Sequence, residues 1–358
     1  MTLPASGQIT LNQVNVELGN SGTAQIGMND AAVRGLFGIA SGEIEMSDGY
    51  GKSNVAWYGE RGLFGGGYTG SSATNTIQYV TIGTTGNATD FGNLIENADG
   101  VSACSDGSRI VFAGGFWTNN YYGYLYARDY IQYVAAATTG NATDFGNLLD
   151  GRRDTAAVSN GPRGVWAGGN QRNGYRLYTN VMQYITIAST GNATDFGDLL
   201  SADTNLYWTS QAGCSNGTRG LFGGGGSYNS TNIIQYITID TTGNATDFGD
   251  LTAARGNAGS TNGGDRGIFA GGYIDVSPYA GFNIIDYVSI PTTGNATDFG
   301  DLAAAKTPRA SSDNSRAVIA GGSNNTIEYI TISTTGNATD FGDLLQSSCY
   351  ETSAASGT

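Results

Sequence analysis

Gly243-Asn-Ala-Thr-Asp-Phe-Gly249 is not a single occurrence: identical heptapeptides start at Gly86, Gly140, Gly191, Gly294 and Gly336, with successive spacings of 54, 51, 52, 51 and 42 residues along the chain. A period near 50 residues decides the architecture before any catalytic motif is considered. An arginine, a short apolar run and two small residues recur in phase with the heptapeptide. The copies are Arg61-Gly-Leu-Phe-Gly-Gly66, Arg109-Ile-Val-Phe-Ala-Gly-Gly115, Arg163-Gly-Val-Trp-Ala-Gly-Gly169, Arg219-Gly-Leu-Phe-Gly-Gly224, Arg266-Gly-Ile-Phe-Ala-Gly-Gly272 and Arg316-Ala-Val-Ile-Ala-Gly-Gly322. Between the two elements run β-branched, alternating segments such as Ile77-Gln-Tyr-Val-Thr-Ile82 and Ile234-Gln-Tyr-Ile-Thr-Ile239. Period-two patterning in Val, Ile, Thr and Tyr is that of a strand.

With a small-residue stretch before each arginine, every unit offers four short strands, which is the blade of a β-propeller. A solenoid shares the repetition but leaves exposed sheet ends. The chain ends decide between them. Asn54-Val-Ala-Trp-Tyr-Gly-Glu60 stands where the first unit needs its innermost strand. The tail Ser353-Ala-Ala-Ser-Gly-Thr358 lines up instead with Ala212–Thr218, which precedes Arg219. The prediction is an all-β, six-bladed propeller over residues 54–358, with the C-terminal stretch 345–358 completing blade one, preceded by a small α+β module at 1–53.

Composition limits the chemistry. Of 358 residues 57 are glycine, and 16 basic against 30 acidic residues give a net charge of −14. Nucleic-acid phosphates and anionic membrane surfaces repel such a chain. With no histidine, His-based nucleophile systems and imidazole metal sites are excluded. No apolar run approaches the ~18 residues of a membrane span, and Met1-Thr-Leu-Pro-Ala opens without the basic and apolar regions of an export signal. Membrane insertion is therefore not expected. Cys104 and Cys214 read as small core residues; with Cys349 they form no CxxC or metal-ligand spacing. The repeat arginines are expected to pair with the repeat aspartates Asp90, Asp144, Asp195, Asp247, Asp298 and Asp340 or with carbonyls. The repeated Asn-Ala-Thr reads as turn chemistry, and the six repeat phenylalanines as inter-blade core.

The Gly-Gly pair closing the second strand, the tyrosine of the third and the aromatic opening the fourth resemble the kelch repeat. The fourth-strand aromatic here is Phe (Phe91, Phe145, Phe196, Phe248, Phe299, Phe341) where kelch repeats carry Trp.

Residues 1–53 have their own pattern. Gly7-Gln-Ile-Thr-Leu-Asn12, Ala24-Gln-Ile-Gly-Met-Asn29 and Gly42-Glu-Ile-Glu-Met-Ser47 alternate with helix-like stretches at 11–18 and 30–37. Thr10 with Gln13 fits a capping box, Asn29 an N-cap, and Gly19 and Gly38 helix ends. Leu3-Pro-Ala-Ser-Gly-Gln-Ile-Thr-Leu-Asn-Gln-Val-Asn-Val-Glu-Leu-Gly19, Met28-Asn-Asp-Ala-Ala-Val-Arg34 and Met46-Ser-Asp-Gly-Tyr-Gly-Lys-Ser53 resemble the N-terminal module of tailed-bacteriophage tail and fibre proteins. That resemblance implies a virion protein, made in the host cytoplasm without a signal peptide. It would be anchored to other tail proteins through 1–53 and homo-oligomeric in the virion.

In a four-stranded blade the connections from strand two to three and from strand four to the next blade emerge on one face. All the length variation collects there, and scaffold-held variable loops are where binding groups concentrate. The candidate ligand-binding aromatics are Phe116, Trp117, Tyr121, Tyr122, Tyr124 and Tyr126 in blade two, and Tyr175 and Tyr178 in blade three. Tyr207 and Trp208 precede blade four, and Tyr273, Tyr279 and Phe282 belong to blade five. Rigid aromatics among Asn, Gly and Ser suit a sugar's C–H face and hydroxyl edge. The expectation is a non-enzymatic tail protein recognising a host surface polysaccharide or outer-membrane protein, with no catalytic residue, cofactor or metal assigned. The alternatives are a purely architectural tail or decoration protein, and a glycan-cleaving propeller using carboxylates such as Asp129, Asp203 or Asp275.

Overall fold

The computed structural model describes residues 10–17, 25–28, 30, 33, 43, 45 and 59–358, apart from 119–124, 173–175, 201–208, 227–229, 275–279, 347–349, 351 and 358. The chain divides into two units, Met1–Ala56 and Trp57–Thr358. In the first, the helix Leu11–Glu17 starts at the expected capping box. The Thr10 N–H donates to Gln13 Oε1 at 2.7 Å, and the Gln13 N–H donates to Thr10 Oγ1 at 3.3 Å. Asn29, Gly19 and Gly38 lie outside the described residues.

The second unit consists of six four-stranded antiparallel sheets, the blades of a propeller. Blade two is representative, with strands Ser102–Ser105, Arg109–Ala113, Tyr130–Ala135 and Thr143–Asn147 from the axis outward. Blade one takes Arg61–Gly65, Thr76–Thr81 and Thr89–Asn93 from one end of the unit and Ser353–Gly357 from the other. The register runs from Arg61 opposite Gly357 to Gly65 opposite Ser353. The C-terminal strand therefore closes the ring.

The heptapeptide does two jobs. Within each blade it makes a bulge: Gln132 faces Asp144 and Ile131 faces Gly146, so Phe145 has no partner across the pair. The extra residue twists the outer strand, and Phe145 is buried while Thr143 and Asp144 stay exposed. Between blades the motif pairs with its own next copy. Gly140 N–H donates to Phe91 O at 2.8 Å, Ala142 N–H to Asn93 O at 2.8 Å, and Asn93 N–H to the Asn141 side-chain oxygen at 3.0 Å. The same trio closes the circle from blade six to blade one, through Gly86 to Phe341 O, Ala88 to Asp343 O, and Asp343 to Asn87 Oδ1. The repeated Asn is thus an inter-blade acceptor and not a local turn former. The glycine after Phe is obligatory. At Gly92, φ is +151°, and a Cβ would lie 2.2 Å from Gly140 O.

The repeat arginines form a second belt. Each donates to the carbonyls just beyond the third strand of the following blade: Arg61 to Ala136 and Ala137, Arg109 to Ile187 and Ala188, and so on to Arg316, which reaches Ile82 and Gly83. Of the two expected partners, the carbonyls are the ones used; the repeat aspartates stand exposed on the outer strands. Each guanidinium also lies over its own blade's tyrosine, at 5.0 Å for Arg61 on Tyr79 and 4.3 Å for Arg163 on Tyr184. Each of these tyrosines meets the blade's Phe edge to face, with centroids 5.8 Å apart for Tyr79 and Phe91. Such contacts add to the apolar burial of the rings. The apolar clusters straddle neighbouring blades, as where Phe196 of blade three packs with Phe222 and Ile237 of blade four. Cys104 and Cys214 are buried as expected, and burial pushes the Cys214 thiol up to about 12.

A third belt uses the residue just before the Tyr of the third strand. Gln132 Oε1 accepts the Ile95 N–H at 2.7 Å, Gln183 the Leu149 N–H at 2.7 Å, and Gln235 the Leu200 N–H at 2.8 Å. Blades five and six substitute Asp286 and Glu328, fully or almost fully buried. Both charges are matched by a cation on the preceding linker: Arg255 Nη2 lies 2.9 Å from Asp286, and Lys306 Nζ 2.5 Å from Glu328. Burial lowers the Lys306 pKa from its ordinary value, against the opposing pull of Glu328. Four residues after the buried Leu that follows the outer strand, where Leu251 leads to Arg255, blade one's Leu94 leads to Ala98, and the acceptor in blade two is the neutral Gln132. The chain thus contains both the charged and the neutral solution. Arg255→Ala alone, which leaves the buried Asp286 with the Thr252 hydrogen bonds but no cation, should cost about 3–5 kcal/mol in denaturant unfolding of the propeller, and the double variant Arg255→Ala/Asp286→Gln should recover most of it. A double variant no more stable than the single one would refute the equivalence.

Candidate binding face

Antiparallel order puts the arginine belt and the Thr-Thr-Gly-Asn turns on one side of the ring and the variable connections on the other. On the variable side, blades two, three and five extend their second and third strands into additional hairpins. These are Phe116–Thr118 with Leu125–Ala127, Asn170–Arg172 with Arg176–Tyr178, and Tyr273–Ile274 with Ala280–Gly281. Each is tied at its base to the linker entering its own blade. Asp99 exchanges backbone hydrogen bonds with Phe116 at 2.8 and 3.3 Å, Arg153 with Asn170 at 2.9 and 3.1 Å, and Gly256 with Tyr273 at 2.9 Å in both directions. The hairpins therefore project from fixed points of the ring.

Not every candidate aromatic belongs to this surface. Phe116 is buried, 5% exposed, with the Arg153 guanidinium 4.7 Å from its ring centroid. It founds the hairpin, because the first residue after the glycine pair is the one whose backbone pairs with Asp99 of the linker. Trp117 and Tyr126 are paired across the same hairpin. Tyr178, Tyr273 and Phe282 are half-buried. Tyr121, Tyr122, Tyr124, Tyr175, Tyr207, Trp208 and Tyr279 lie outside the described residues, as do Asp203 and Asp275. Asp129 is half-buried where the blade-two hairpin returns to the third strand.

Sequence reading missed a group of exposed aliphatics on this side. Ile95, Leu149 and Leu345 are 46%, 51% and 52% exposed. Each follows directly the buried leucine next after the outer strand, Leu94, Leu148 and Leu344. The available signal was the doubled apolar residue: one fills the core, and the second has no core position left.

The base of the blade-two hairpin is also electrostatically loaded. Arg153 lies 3.0 Å from Asp154 and 3.6 Å from Asp99. Burial pushes the Asp99 carboxyl up to about 6, with Arg153 opposing and Asp154 reinforcing the shift. A folded-state value above the ordinary 3.8 means that the protonated form favours the fold. The contribution is complete below pH 3.8 and is lost as pH rises through about 6. Asp99→Asn removes this titration. Its melting temperature relative to the parent should rise by a few degrees, roughly 2–6 °C, between pH 4 and pH 7; parallel pH profiles for the two proteins would exclude the assignment.

The fold defines the class: a six-bladed β-propeller closed by its C-terminal strand. Among solved structures, the one titled "Structure of YjhT" superposes with a TM-score of 0.60 at 10% sequence identity, covering 79% of this chain and 97% of that chain. At that identity the likeness concerns the fold alone. No protein-family model and no curated protein sequence matches the chain.

Proposed function

We propose that this protein is a non-enzymatic recognition protein of a bacteriophage tail, anchored to neighbouring tail proteins through residues 1–53. Its propeller turns the hairpin side toward a host surface polysaccharide or outer-membrane protein. The observation that carries the reading is the confinement of the three additional hairpins found among the described residues to one side of the ring, while the other side is held uniform by the arginine belt. Aromatic and Asn/Gly/Ser composition in those hairpins suits a ligand that alternates apolar faces with hydroxyls. The virion assignment draws on the resemblance of residues 1–53, and homo-oligomerisation follows from the same likeness. Among the described residues no helix is long and apolar enough to cross a membrane.

A second reading has a specific observation in its favour. Ile95, Leu149 and Leu345 give the same side exposed aliphatic surface, which suits protein packing better than sugar binding. In that case the propeller is architectural and its hairpin side meets other tail proteins.

Glycan-array binding of the intact chain, run beside a saccharide-release assay, separates these readings. Host recognition predicts glycan or whole-cell binding that Trp117→Ala or Trp208→Ala weakens about tenfold or more, as expected for an aromatic anchor, with unchanged thermal unfolding. Undiminished adsorption by the folded double variant would overturn it, and release of reducing ends would overturn the non-enzymatic assignment.

A further inference from the structure

The inner strands narrow the axis of the ring to a passage walled by Ala, Gly and Ser. Along it, several serine hydroxyls are matched between blades. The Ser159 hydroxyl donates to Ser105 O at 2.7 Å, Ser215 to Ser159 O at 2.7 Å, Ser260 to Gly213 O at 2.8 Å and Ser312 to Asn262 O at 2.6 Å.

The mouth of the passage on the hairpin side is built differently. Gly100, Asp154, Ser210 and Asn257, on the linkers into blades two to five, have φ of +62°, +56°, +56° and +53°. Their backbones join hand to hand: Asp154 N–H to Gly100 O at 2.9 Å, Ser210 N–H to Asp154 O at 2.8 Å, and Asn257 N–H to Ser210 O at 2.8 Å. Left-handed backbone is unfavourable for a residue with a side chain, least so for Asn and Asp. A cavity of about 60 Å³ opens here, with Asp154, Ser210, Gln211, Arg309 and Ser353 among its lining residues. That is room for roughly four waters, or one molecule of a few heavy atoms.

Two opposite charges line this cavity. Asp154 enters on the linker from blade two to three, and Arg309 begins the inner strand of blade six. Blades three and six are three steps apart in a ring of six, which sets the two residues on opposite sides of the axis. The Asp154 side chain is 7% exposed; its Oδ2 meets Arg153 at 3.0 Å, while its Oδ1 has no hydrogen-bond partner. Gln211 is 7% exposed, and neither its Oε1 nor its Nε2 is hydrogen-bonded. Arg309 is held by donation to Pro308 O at 2.9 Å and to the side-chain oxygen of Asn257 at 3.3 Å. Asp99, Arg153, Asp154 and Arg309 sum to zero, so a ligand carrying one net charge would leave the mouth unbalanced in a poorly hydrated place.

We propose that the axial mouth binds a small zwitterion of zero net charge, its ammonium against Asp154 and its carboxylate against Arg309. The inference stands whether or not the hairpins meet a host. Titration calorimetry on the full chain tests it with glycine and 4-aminobutanoate as probes of short and long charge separation, and acetate and ethylammonium as controls of single charge. At least one zwitterion should bind, and each control should bind at least about tenfold more weakly. Asp154→Asn, which tolerates the left-handed backbone, and Arg309→Gln should each weaken zwitterion binding at least about tenfold, whereas Arg309→Lys should retain part of it. Absence of binding by both zwitterions at about 10 mM, controls that match them, or full affinity in folded Asp154→Asn would each overturn the proposal. The control comparison uses the parent protein alone and decides the matter even if Arg309→Gln does not fold.

Discussion

The structure depends on the hydrogen bonding of each Gly-Asn-Ala-Thr-Asp-Phe-Gly segment to its own copy in the next blade. The start of one copy donates to the end of the previous one, and its Asn side chain accepts from the same strand, as Asn141 does from Asn93. An interaction of this kind is self-complementary only if every copy keeps both ends. In a closed ring the sixth copy must also fit the first, so no copy can drift without breaking two joints. The glycine after each Phe shows how tight the joint is, since the neighbouring backbone occupies the place of its missing Cβ. The arginine belt repeats the constraint nearer the axis, with directional bonds to carbonyls that carry no side-chain information.

Uniformity on one side leaves freedom on the other. The connections opposite the arginine belt are outside both networks, and their lengths and compositions differ from blade to blade. Even there, the departures are supported. Each additional hairpin is clamped by a pair of backbone hydrogen bonds to a linker, and the one in blade two rests on a buried Phe116 covered by Arg153. The buried acids of blades five and six obey the same logic. A carboxylate can occupy the glutamine position because the linker beside it supplies Arg255 or Lys306 at contact distance. A charge buried without such a partner would be strongly destabilising.

The amino-acid sequence alone determined the number of blades, the order of strands within them and the role of the C-terminal tail, because these follow from spacing and from period-two patterning. It also determined the capping box at Thr10 and Gln13, a purely local interaction, and it indicated which side of the ring would vary. What it left open was where repeated polar side chains point. Both aspartate and carbonyl partners were compatible with the repeat arginines, and Asn87 and its equivalents read as turn residues. Phe116 read as an exposed aromatic. Only the tertiary structure decided these: the arginines and asparagines bond backbone atoms of another blade, as between Asp301 and Asn337 or Asp343 and Asn87, 36 and 256 positions apart, and Phe116 is covered by Arg153 from the next linker. The gathering of Asp154, Gln211 and Arg309 around one axial opening has the same origin: six linkers far apart along the chain converge there because the blades are wedges arranged about a common centre.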